Sequence, residues 1–256
     1  MLHIIACCKW VIDEAYVRPG RGGEVDLSAV DWKLSDYDRH ALEEAVRIRE
    51  VIGGKVTVLT VGDERSAKGM KDMLSRGADE GCLISDKSFN FLDPAQTAGI
   101  IIGAINAHLT PFDLILFGDG SSDLYARQVG PRVAAGLKIP CVTGASRITV
   151  KEGGVEVERS LERVVEVVRV NLPVAITVLP EINVPRIPGV RDTLSAAKKP
   201  VINLGREMMP EGEKPALNTK ELKINRFERA CVKMENTPQG VLRLVEELRK
   251  KGVLTA

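Results

Sequence analysis

The chain has 256 residues, enough for one large domain or for one domain with an appendage. Its 36 Lys and Arg residues are balanced by 35 Asp and Glu residues and the net charge is +1, which argues against nucleic acid as the main partner. No stretch approaches the roughly 18 apolar residues of a membrane span, and the first residues lack the basic start and cleavage site of a secretory leader, so we expect neither membrane insertion nor processing.

The first part of the chain alternates short, β-branched runs with helical patterns. The predicted strands are residues 2–8, 55–61, 80–85 and 113–118, and the predicted helices are residues 38–54, 64–79 and 93–109. Asp93 is the expected N-cap of the third helix, with Pro94 at its first position. The alternation predicts a doubly wound α/β fold, a mainly parallel sheet with helices on both faces. Ligands in such folds bind outside the carboxyl ends of the strands.

From about residue 146 the pattern changes. Residues 146–178 alternate with a period near two around an EGG turn, which predicts a hairpin that extends the same sheet. Four prolines in residues 179–200 exclude a long regular element and predict a loop. We therefore divide the chain into an α/β domain, residues 1–205, and a C-terminal arm, residues 206–256, that ends in an amphipathic helix. The arm either reaches for a partner or packs on its own domain.

The five cysteines are odd in number, form no C-x-x-C pair and lie mostly in apolar runs. Thiols in such runs are more often small core residues than disulfide or metal partners. This usage is typical of a reducing compartment, and we predict a cytoplasmic protein.

The segment GDGSSDLYARQVGP directly follows a predicted strand and carries the main binding signal. Gly118 and Gly120 allow close approach of the backbone to a ligand, Ser121 and Ser122 are donors, and the N-terminus of the following helix favours a phosphate. A carboxylate at Asp123 fits a phosphate site only if it caps the helix, binds a ribose hydroxyl or meets a cation. Neither Walker A nor G-x-G-x-x-G occurs. The residues alone leave a nucleotide loop and an ordinary turn both open.

Catalytic constellations are scarce. The histidines His3, His40 and His108 lie in strand or helix patterns, and the chain has neither metal-ligand spacing nor a nucleophile elbow. Glu43 and Glu44 are predicted to lie on a solvated helix face with Lys or Arg partners four residues away. We assign no catalytic or metal-binding residue. If the protein takes part in catalysis, a bound cofactor does the chemistry.

Five stretches of sequence occur together in a specific order: ACCKWVIDE, KLSDYDRHALEEAVRIRE, VTVLTVGDERSAKGMKDMLSRGADEGCLI, LILFGDGSSDLYARQVGP and NLPVAITVLPEINVPRIPGVRDTLSAAKKPV. They resemble, in turn, the first strand and turn, the E-E-A-x-R helix, the second strand and following step, the Q-x-G nucleotide loop and the N-x-P-R signature of the β subunit of electron transfer flavoproteins. The resemblance covers about residues 1–205. The segments SDYD, GDGSSDLYARQVG and AAKKPV are most similar to the corresponding segments in the Fix-type branch of that family.

The resemblance implies an adenine-nucleotide-binding, universal-stress-like fold that holds AMP in simple carriers or a second FAD in electron-bifurcating members. Because the Fix-type branch includes bifurcating systems, it favours FAD, and NADH oxidation by this subunit is expected only with that FAD. The implied cofactor contacts are Cys7, Lys9, Ser35, Asp36, Tyr37, Asp38, Val61, Gly62, Gly118, Asp119, Gly120, Ser121, Ser122, Asp123, Gln128 and Val129.

The resemblance also implies partners. An α subunit carries the electron-shuttling FAD and is clamped by the C-terminal arm. The docking loop, residues 182–199, binds an acyl-CoA dehydrogenase or another dehydrogenase through Pro185, Arg186 and the apolar anchor Val190. The downstream acceptor is a quinone oxidoreductase or ferredoxin.

Two departures from the family pattern stand out. LERVVEV carries Arg163 and Val164 in places where members often have glycines, and SSDLYAR differs from both the consecutive acids of simple carriers and the D-G-D-T of bifurcating ones. An alternative is a free-standing adenine-nucleotide sensor of the universal-stress type, which leaves the arm and the N-x-P-R loop without a role. An adenylating or amidating enzyme of this fold group would need an S-G-G-x-D-S loop, and CCKWVID is not one.

Overall fold

The computed structural model describes residues 1–19, 25–27, 30–90, 92–210, 215, 217, 219–220 and 231–254. The chain divides into two compact units, Met1–Leu222 and Lys223–Ala256. Part of the predicted C-terminal arm, residues 206–256, lies outside the described residues. Within the described part of the chain, no helix combines the length and apolarity that crossing a membrane requires.

The first unit contains thirteen strands and five α-helices among its described residues. The strands are β1 (His3–Cys7), β2 (Trp10–Ile12), β3 (Arg18–Pro19), β4 (Val25–Asp26), β5 (Trp32–Leu34), β6 (Lys55–Gly62), β7 (Glu80–Ser85), β8 (Leu114–Gly118), β9 (Cys141–Lys151), β10 (Gly154–Ser160), β11 (Val165–Asn171), β12 (Val174–Val178) and β13 (Val201–Leu204). The helices are α1 (Asp36–Ile52), α2 (Ser66–Ser75), α3 (Pro94–Ala104), α4 (Val129–Leu137) and α5 (Val190–Ala196), and the second unit contains α6 (Pro238–Lys250).

Nine of these strands form one sheet in the order β11-β10-β9-β12-β8-β1-β6-β7-β13. β1 lies between β6 and β8 and pairs with both in parallel. From β1 the chain passes through β6 to β7 on one side and then crosses to β8 on the other side. The direction of winding thus reverses between β1 and β8, which makes their carboxyl ends the topological switch point, where open α/β sheets bind ligands.

The alternation of side chains along β1 supplies both hydrophobic cores. Ile4 and Ala6 pack with apolar residues of α1 and α2, whereas Ile5 and Cys7 pack with residues of α3 and α4. Helices therefore cover both faces of a mainly parallel sheet, which confirms the predicted doubly wound α/β fold.

The start of α3 follows the sequence closely. The Asp93 side chain accepts hydrogen bonds from the N–H groups of Ala95 and Gln96. The N–H of Asp93 in turn donates to Oε1 of the Gln96 side chain. This capping box, with Pro94 at the first helical position, confirms the predicted N-terminus. The helix continues into a π-helical turn, Ile105–Leu109.

Residues 141–178 extend the same sheet as predicted, but they form more than one hairpin. β9, β10 and β11 make an antiparallel meander, and β12 then inserts in parallel between β8 and β9. All five residues of β12 are buried, as expected of a strand inside a parallel sheet, and this explains the lack of alternation in VAITV. On the opposite edge, the short strand β13 pairs with β7, which the sequence pattern did not predict.

Candidate functional site

A buried carboxylate lies at the switch point. The β1–β8 ladder ends at Cys7 and Phe117. Just beyond it, Asp38 of the first turn of α1 accepts the N–H of Lys9 at 2.9 Å through Oδ2 and the N–H of Gly118 at 3.1 Å through Oδ1. One side chain thereby satisfies an N–H group at the end of each strand.

The segment between β1 and α1 brings that turn to the switch point. β2 pairs with β5 in an antiparallel register that joins Trp10 to Leu34. The chain consequently returns to its starting point, and the N–H of Ser35 donates to the carbonyl of Lys9 at 3.0 Å. The N-terminus of α1 is held beside the end of β1 for this reason.

Two serines fasten the glycine loop, residues 118–123, to the start of α1. The N–H of Ser122 donates to Oγ of Ser35 at 3.3 Å, and Oγ of Ser122 accepts the N–H of Asp36 at 3.4 Å. Ser35 is fully buried, and its side chain also hydrogen-bonds to the Asp38 carboxylate. The loop and the 35–38 turn therefore form one polar cluster.

Lys9 and Asp123 close the cluster on its outer side, with 2.6 Å between Nζ and Oδ2. Burial pushes the pKa of Asp123 upward, but the charge of Lys9 and its hydrogen bond outweigh burial and hold that pKa below its ordinary value. The carboxylate thus meets a cation supplied by the chain itself, which satisfies one of the conditions set for Asp123 in a phosphate site.

Asp119 connects the same loop to β12. Its buried carboxylate accepts Oγ1 of Thr177 at 3.0 Å and the hydroxyl of Tyr125 at 3.3 Å, and it pairs with Nε of Arg127 at 2.7 Å. The N–H of Asp119 donates to the carbonyl of Val178 at 3.0 Å. Sequence analysis did not identify Thr177, Tyr125 or Arg127 as site residues, although Tyr125 and Arg127 lie within the segment GDGSSDLYARQVGP.

The loop adopts a strained path beyond Asp123. Tyr125 and Arg127 have φ angles of 46° and 57°, in the left-handed region that non-glycine residues rarely occupy. The Tyr125 ring lies 5.0 Å from the ring of Tyr37 and fills the space beside Gly120, where an added Cβ would be 2.4 Å from Cδ2 of Tyr125. Gly120 is therefore in contact with an aromatic ring of its own loop.

Gly118 faces backbone instead. A Cβ at Gly118 would lie 2.5 Å from Oδ1 of Asp38 and 2.8 Å from the carbonyl carbon of Tyr37. The absence of a side chain lets β8 approach the first turn of α1.

The helix after the loop begins at Val129. Oε1 of Gln128 accepts Nε of Arg132 at 3.1 Å, and among the described residues no side chain caps this helix. Because Pro131 has no N–H and the N–H of Arg132 bonds to the carbonyl of Gln128, this leaves the N–H groups of Val129 and Gly130 for an anion. Gly130 lies against Thr177 and Phe117, which allows α4 to pack closely on the sheet.

The remaining implied contacts lie at the strand ends. Cys7 belongs to the core on the side of α3 and α4, and burial raises the pKa of its thiol well above the ordinary value. Val61 and Gly62 end β6, one strand from β1, and Ser121 hydrogen-bonds to Asp123. The structure therefore brings Lys9, the 35–38 turn and the 118–123 loop together and places Val61 and Gly62 beside them.

The docking loop is fastened to α1 by Arg186. Its Nε and its N–H donate to Oε2 of Glu43 at 2.8 and 3.0 Å, and its Nη1 donates to Oε1 of Glu50 at 2.7 Å. These hydrogen bonds to Glu50 and Glu43 raise the pKa of Arg186 and lower that of Glu50.

The prediction that Glu43 and Glu44 lie on a solvated face is wrong, although the predicted partner four residues away is present for Glu43, whose Oε1 lies 3.5 Å from Nε of Arg47. Glu43 and Glu44 are 5% and 8% exposed, because the docking loop packs over them. Nδ2 of Asn183 donates to Oε2 of Glu44 and to the carbonyl of His40, both at 3.0 Å.

The anchored loop leaves apolar side chains in solvent. Val184, Ile187 and Val190 are 84%, 93% and 80% exposed, and Leu194 is 67% exposed. Pro185 is half-buried. Of the three predicted docking residues, Arg186 is thus occupied by internal bonds, whereas Val190 is free to contact another molecule.

A comparison with known families gives the context for this geometry. The family model described as "Electron transfer flavoprotein domain" matches residues 23–207. The matched region includes α1, the glycine loop and the docking loop and spans more than half of the 256 residues. The chain belongs to the electron transfer flavoprotein family.

Proposed function

We propose that this chain is the β subunit of a heterodimeric electron transfer flavoprotein of the Fix-type branch. It holds an adenine nucleotide at the switch point between β1 and β8 and helps transfer electrons between dehydrogenases and a quinone oxidoreductase or ferredoxin. The observation that carries the proposal is the convergence of Lys9, the 35–38 turn and the 118–123 loop at the carboxyl ends of two parallel strands.

The donor set fits the phosphate and ribose of such a nucleotide. The first N–H groups of α4 and the Lys9 ammonium suit a phosphate, and the hydroxyls of Ser121 and Ser122 suit either group. A phosphate that binds here competes with Asp123 for Lys9. The Tyr37 and Tyr125 rings, which are tilted by 39° to each other, offer aromatic faces against which a base can pack.

We assign FAD to this subunit in preference to AMP, because the Fix-type branch that the sequence resembles includes bifurcating members. A bound FAD supplies two-electron redox chemistry, including oxidation of NADH. The chain's own residues bind and orient the nucleotide and, through Asp119 and its partners, hold the loop rigid around it.

The partner subunit is an electron transfer flavoprotein α subunit with its own FAD, and the C-terminal arm binds it. The amphipathic helix α6 supports this assignment, since Val241, Leu242 and Leu244 are exposed within its own compact unit. Such an apolar stripe is typical of a helix that packs against another protein.

The docking loop binds the electron donor, an acyl-CoA dehydrogenase or a related dehydrogenase. Val184, Ile187 and Val190 form the apolar part of this surface, and the Arg186 contacts hold it in place before binding. A preorganised loop loses less conformational entropy when it docks.

The first test is to co-express the chain with the α subunit, purify the complex, denature it and measure FAD and AMP by chromatography. Two FAD and no AMP per heterodimer support a bifurcating flavoprotein, and one of each makes the chain a simple carrier. A stable chain that binds adenine nucleotide without any partner would favour the universal-stress-type sensor. Absence of both nucleotide and partner would contradict the proposal.

A further inference from the structure

We propose that Asp38 is a positioning residue of the nucleotide site, whose ionised carboxylate fixes the separation of the β1 and β8 ends and so the width of the crevice between them. This inference rests on the proposed nucleotide-binding function. It assigns to Asp38 a role through the backbone of Lys9 and Gly118, distinct from direct contact with the ligand.

The geometry of the strand ends is the first support. In a continuing sheet the two strands would stay about 4.8 Å apart. Instead, the two oxygens of Asp38 stand between the N–H groups of Lys9 and Gly118, at 2.9 and 3.1 Å. The carboxylate comes from a third element, α1, so the crevice width follows the position of that helix.

The connection to the rest of the loop is the second support. Ser35 hydrogen-bonds to Asp38 and accepts the N–H of Ser122, so the same carboxylate also influences the far end of the 118–123 loop. The carbonyl of Asp38 accepts the thiol of Cys8, with 3.8 Å between the heavy atoms. Donors from β1, α1 and the loop thus converge on one residue that is 7% exposed.

The charge state of Asp38 changes near neutral pH. Burial raises its pKa from 3.8 to about 7, against the opposing hydrogen bonds from Lys9, Gly118 and Ser35 and the charge of Lys9. An ionised carboxylate can accept both N–H groups, whereas a protonated one carries a donor on one oxygen and loses part of this capacity. The titratable or charged side chains near Asp38 are Cys7, Cys8 and Lys9 on the β1 side, Asp123 through Lys9, and the mutually paired Asp36 and Arg39 on α1.

Two opposite pH dependences follow. Nucleotide affinity rises as the pH rises through about 7, because both oxygens of the ionised Asp38 carboxylate can then accept the N–H groups of Lys9 and Gly118. Fold stability changes in the other direction: the pKa is higher in the folded chain, so the Asp38 contribution decreases between about pH 4 and about pH 7 and is constant above. A residue that only stabilised the fold would not separate the two profiles in this way.

The test uses the heterodimer and three variants of the β chain. Asp38→Asn removes the charge, and Asp38→Glu keeps the charge but displaces the carboxylate. Asp113→Asn is the matched control, since Asp113 accepts the N–H of His3 at 2.8 Å at the opposite end of the same strand pair. Dissociation constants for AMP and for FAD are measured by calorimetry on either side of pH 7, and hydrogen exchange is measured without nucleotide in peptides that contain Lys9 and Gly118.

We expect Asp38→Asn to weaken nucleotide binding roughly tenfold or more above neutral pH, the effect of losing a hydrogen bond to a charged group, and to abolish the pH dependence. Asp38→Glu should weaken binding and retain a pH dependence, which keeps the test valid if Asp38→Asn does not fold. Asp113→Asn should behave as the wild type does. Faster amide exchange at Lys9 and Gly118 in Asp38→Asn should be visible without any ligand.

The outcomes distinguish the two proposals. If the wild-type heterodimer binds neither AMP nor FAD, the proposed function fails, while amide exchange still reports on the role of Asp38 in fixing the strand ends. If nucleotide binds and Asp38→Asn binds it with wild-type affinity and wild-type pH dependence, the positioning role alone is overturned. The same conclusion holds if Asp113→Asn reproduces the full effect.

Discussion

Helix α1 contributes carboxylates to two regions, and these carboxylates accept neutral backbone donors in one region and a charged guanidinium in the other. In its first turn, Asp38 accepts neutral N–H groups in a buried position, and its pKa is raised to about 7. One turn and more further on, Glu43 and Glu50 meet the guanidinium of Arg186, and the pKa of Glu50 is lowered. The pKa of Asp38 is therefore near neutral pH, whereas that of Glu50 is below its ordinary value, and the loop that Arg186 holds presents apolar side chains to solvent. Nucleotide binding in the crevice should therefore depend on pH near neutrality, whereas docking through the loop should depend on the presence of Arg186.

The largest expected effect is that of Arg186→Ala. It removes the guanidinium that contacts both Glu43 and Glu50 and leaves the buried carboxylate of Glu43 with Arg47, at 3.5 Å, as its cationic partner, which costs about 3 kcal/mol in the free energy of unfolding. Denaturant unfolding measures this, and electron transfer from an acyl-CoA dehydrogenase should decrease while nucleotide content is unchanged. Arg186→Lys should recover only part of the loss, since lysine cannot contact Glu43 and Glu50 as a fork. If Arg186→Ala lost its nucleotide but still accepted electrons from the dehydrogenase as the wild type does, the roles assigned to the two regions would be reversed.

Next in size is the difference between two glycines of the loop. Gly118→Ala places a Cβ against the backbone of Tyr37 and the carboxylate of Asp38, and we expect a loss of about 2 kcal/mol together with reduced nucleotide binding. The atoms nearest to the Cβ of Gly120→Ala belong to the side chain of Tyr125, which is 43% exposed and can move, so its effect on stability should be smaller. Bulkier Gly120→Val should still lower nucleotide content. Thermal unfolding and chromatography of the released nucleotide compare the variants, and equal effects of the two alanines would contradict the geometry.

A pH series on Glu50→Gln tests the second region. Because the pKa of Glu50 is lowered in the folded chain, its stabilising contribution is present above the unfolded value of 4.5 and is lost as the pH falls through the folded value. The stability difference between wild type and Glu50→Gln should therefore narrow below about pH 4.5 and stay constant near pH 7. A change centred near neutral pH would place the titrating group elsewhere.

The smallest expected effect is that of Thr177→Val. It removes the hydrogen bond to Asp119, whose carboxylate Tyr125 and Arg127 continue to hold, and it also removes the acceptor of the Gly144 N–H at 3.1 Å, so we expect a loss of about 1.5 kcal/mol in the free energy of unfolding. Nucleotide affinity should change little in calorimetry. A large loss of affinity would give Thr177 a direct part in binding.

The sequence predicted the parts of this fold that have strong local signals. β1, β6, β7, β8 and the cap of α3 lie where periodicity and Asp93 indicated. The three-residue strands β2 and β5 carry too little pattern to be recognised, yet they place Ser35 beside Lys9. Glu44 was misread because its partner Asn183 is 139 residues away, and helical charge spacing looks the same on a buried and on a solvated face.

The candidate site divides in the same way. Glycines and serines of the 118–123 loop were identifiable from composition, because backbone approach and hydroxyl donors have recognisable residue types. The positioning role that we propose for Asp38 was not identifiable, since it depends on two N–H groups from strands that are distant in sequence. Only the reversal of winding between β1 and β8 brings these groups together.

Helix α1 also acts as a ruler. Asp38 and Glu50 are twelve residues apart on one continuous helix, which corresponds to about 18 Å along its axis. The number of residues between them therefore sets the distance along the helix between the crevice and the loop that Arg186 holds. A single inserted residue would lengthen this spacing by about 1.5 Å and turn one end relative to the other by about 100°.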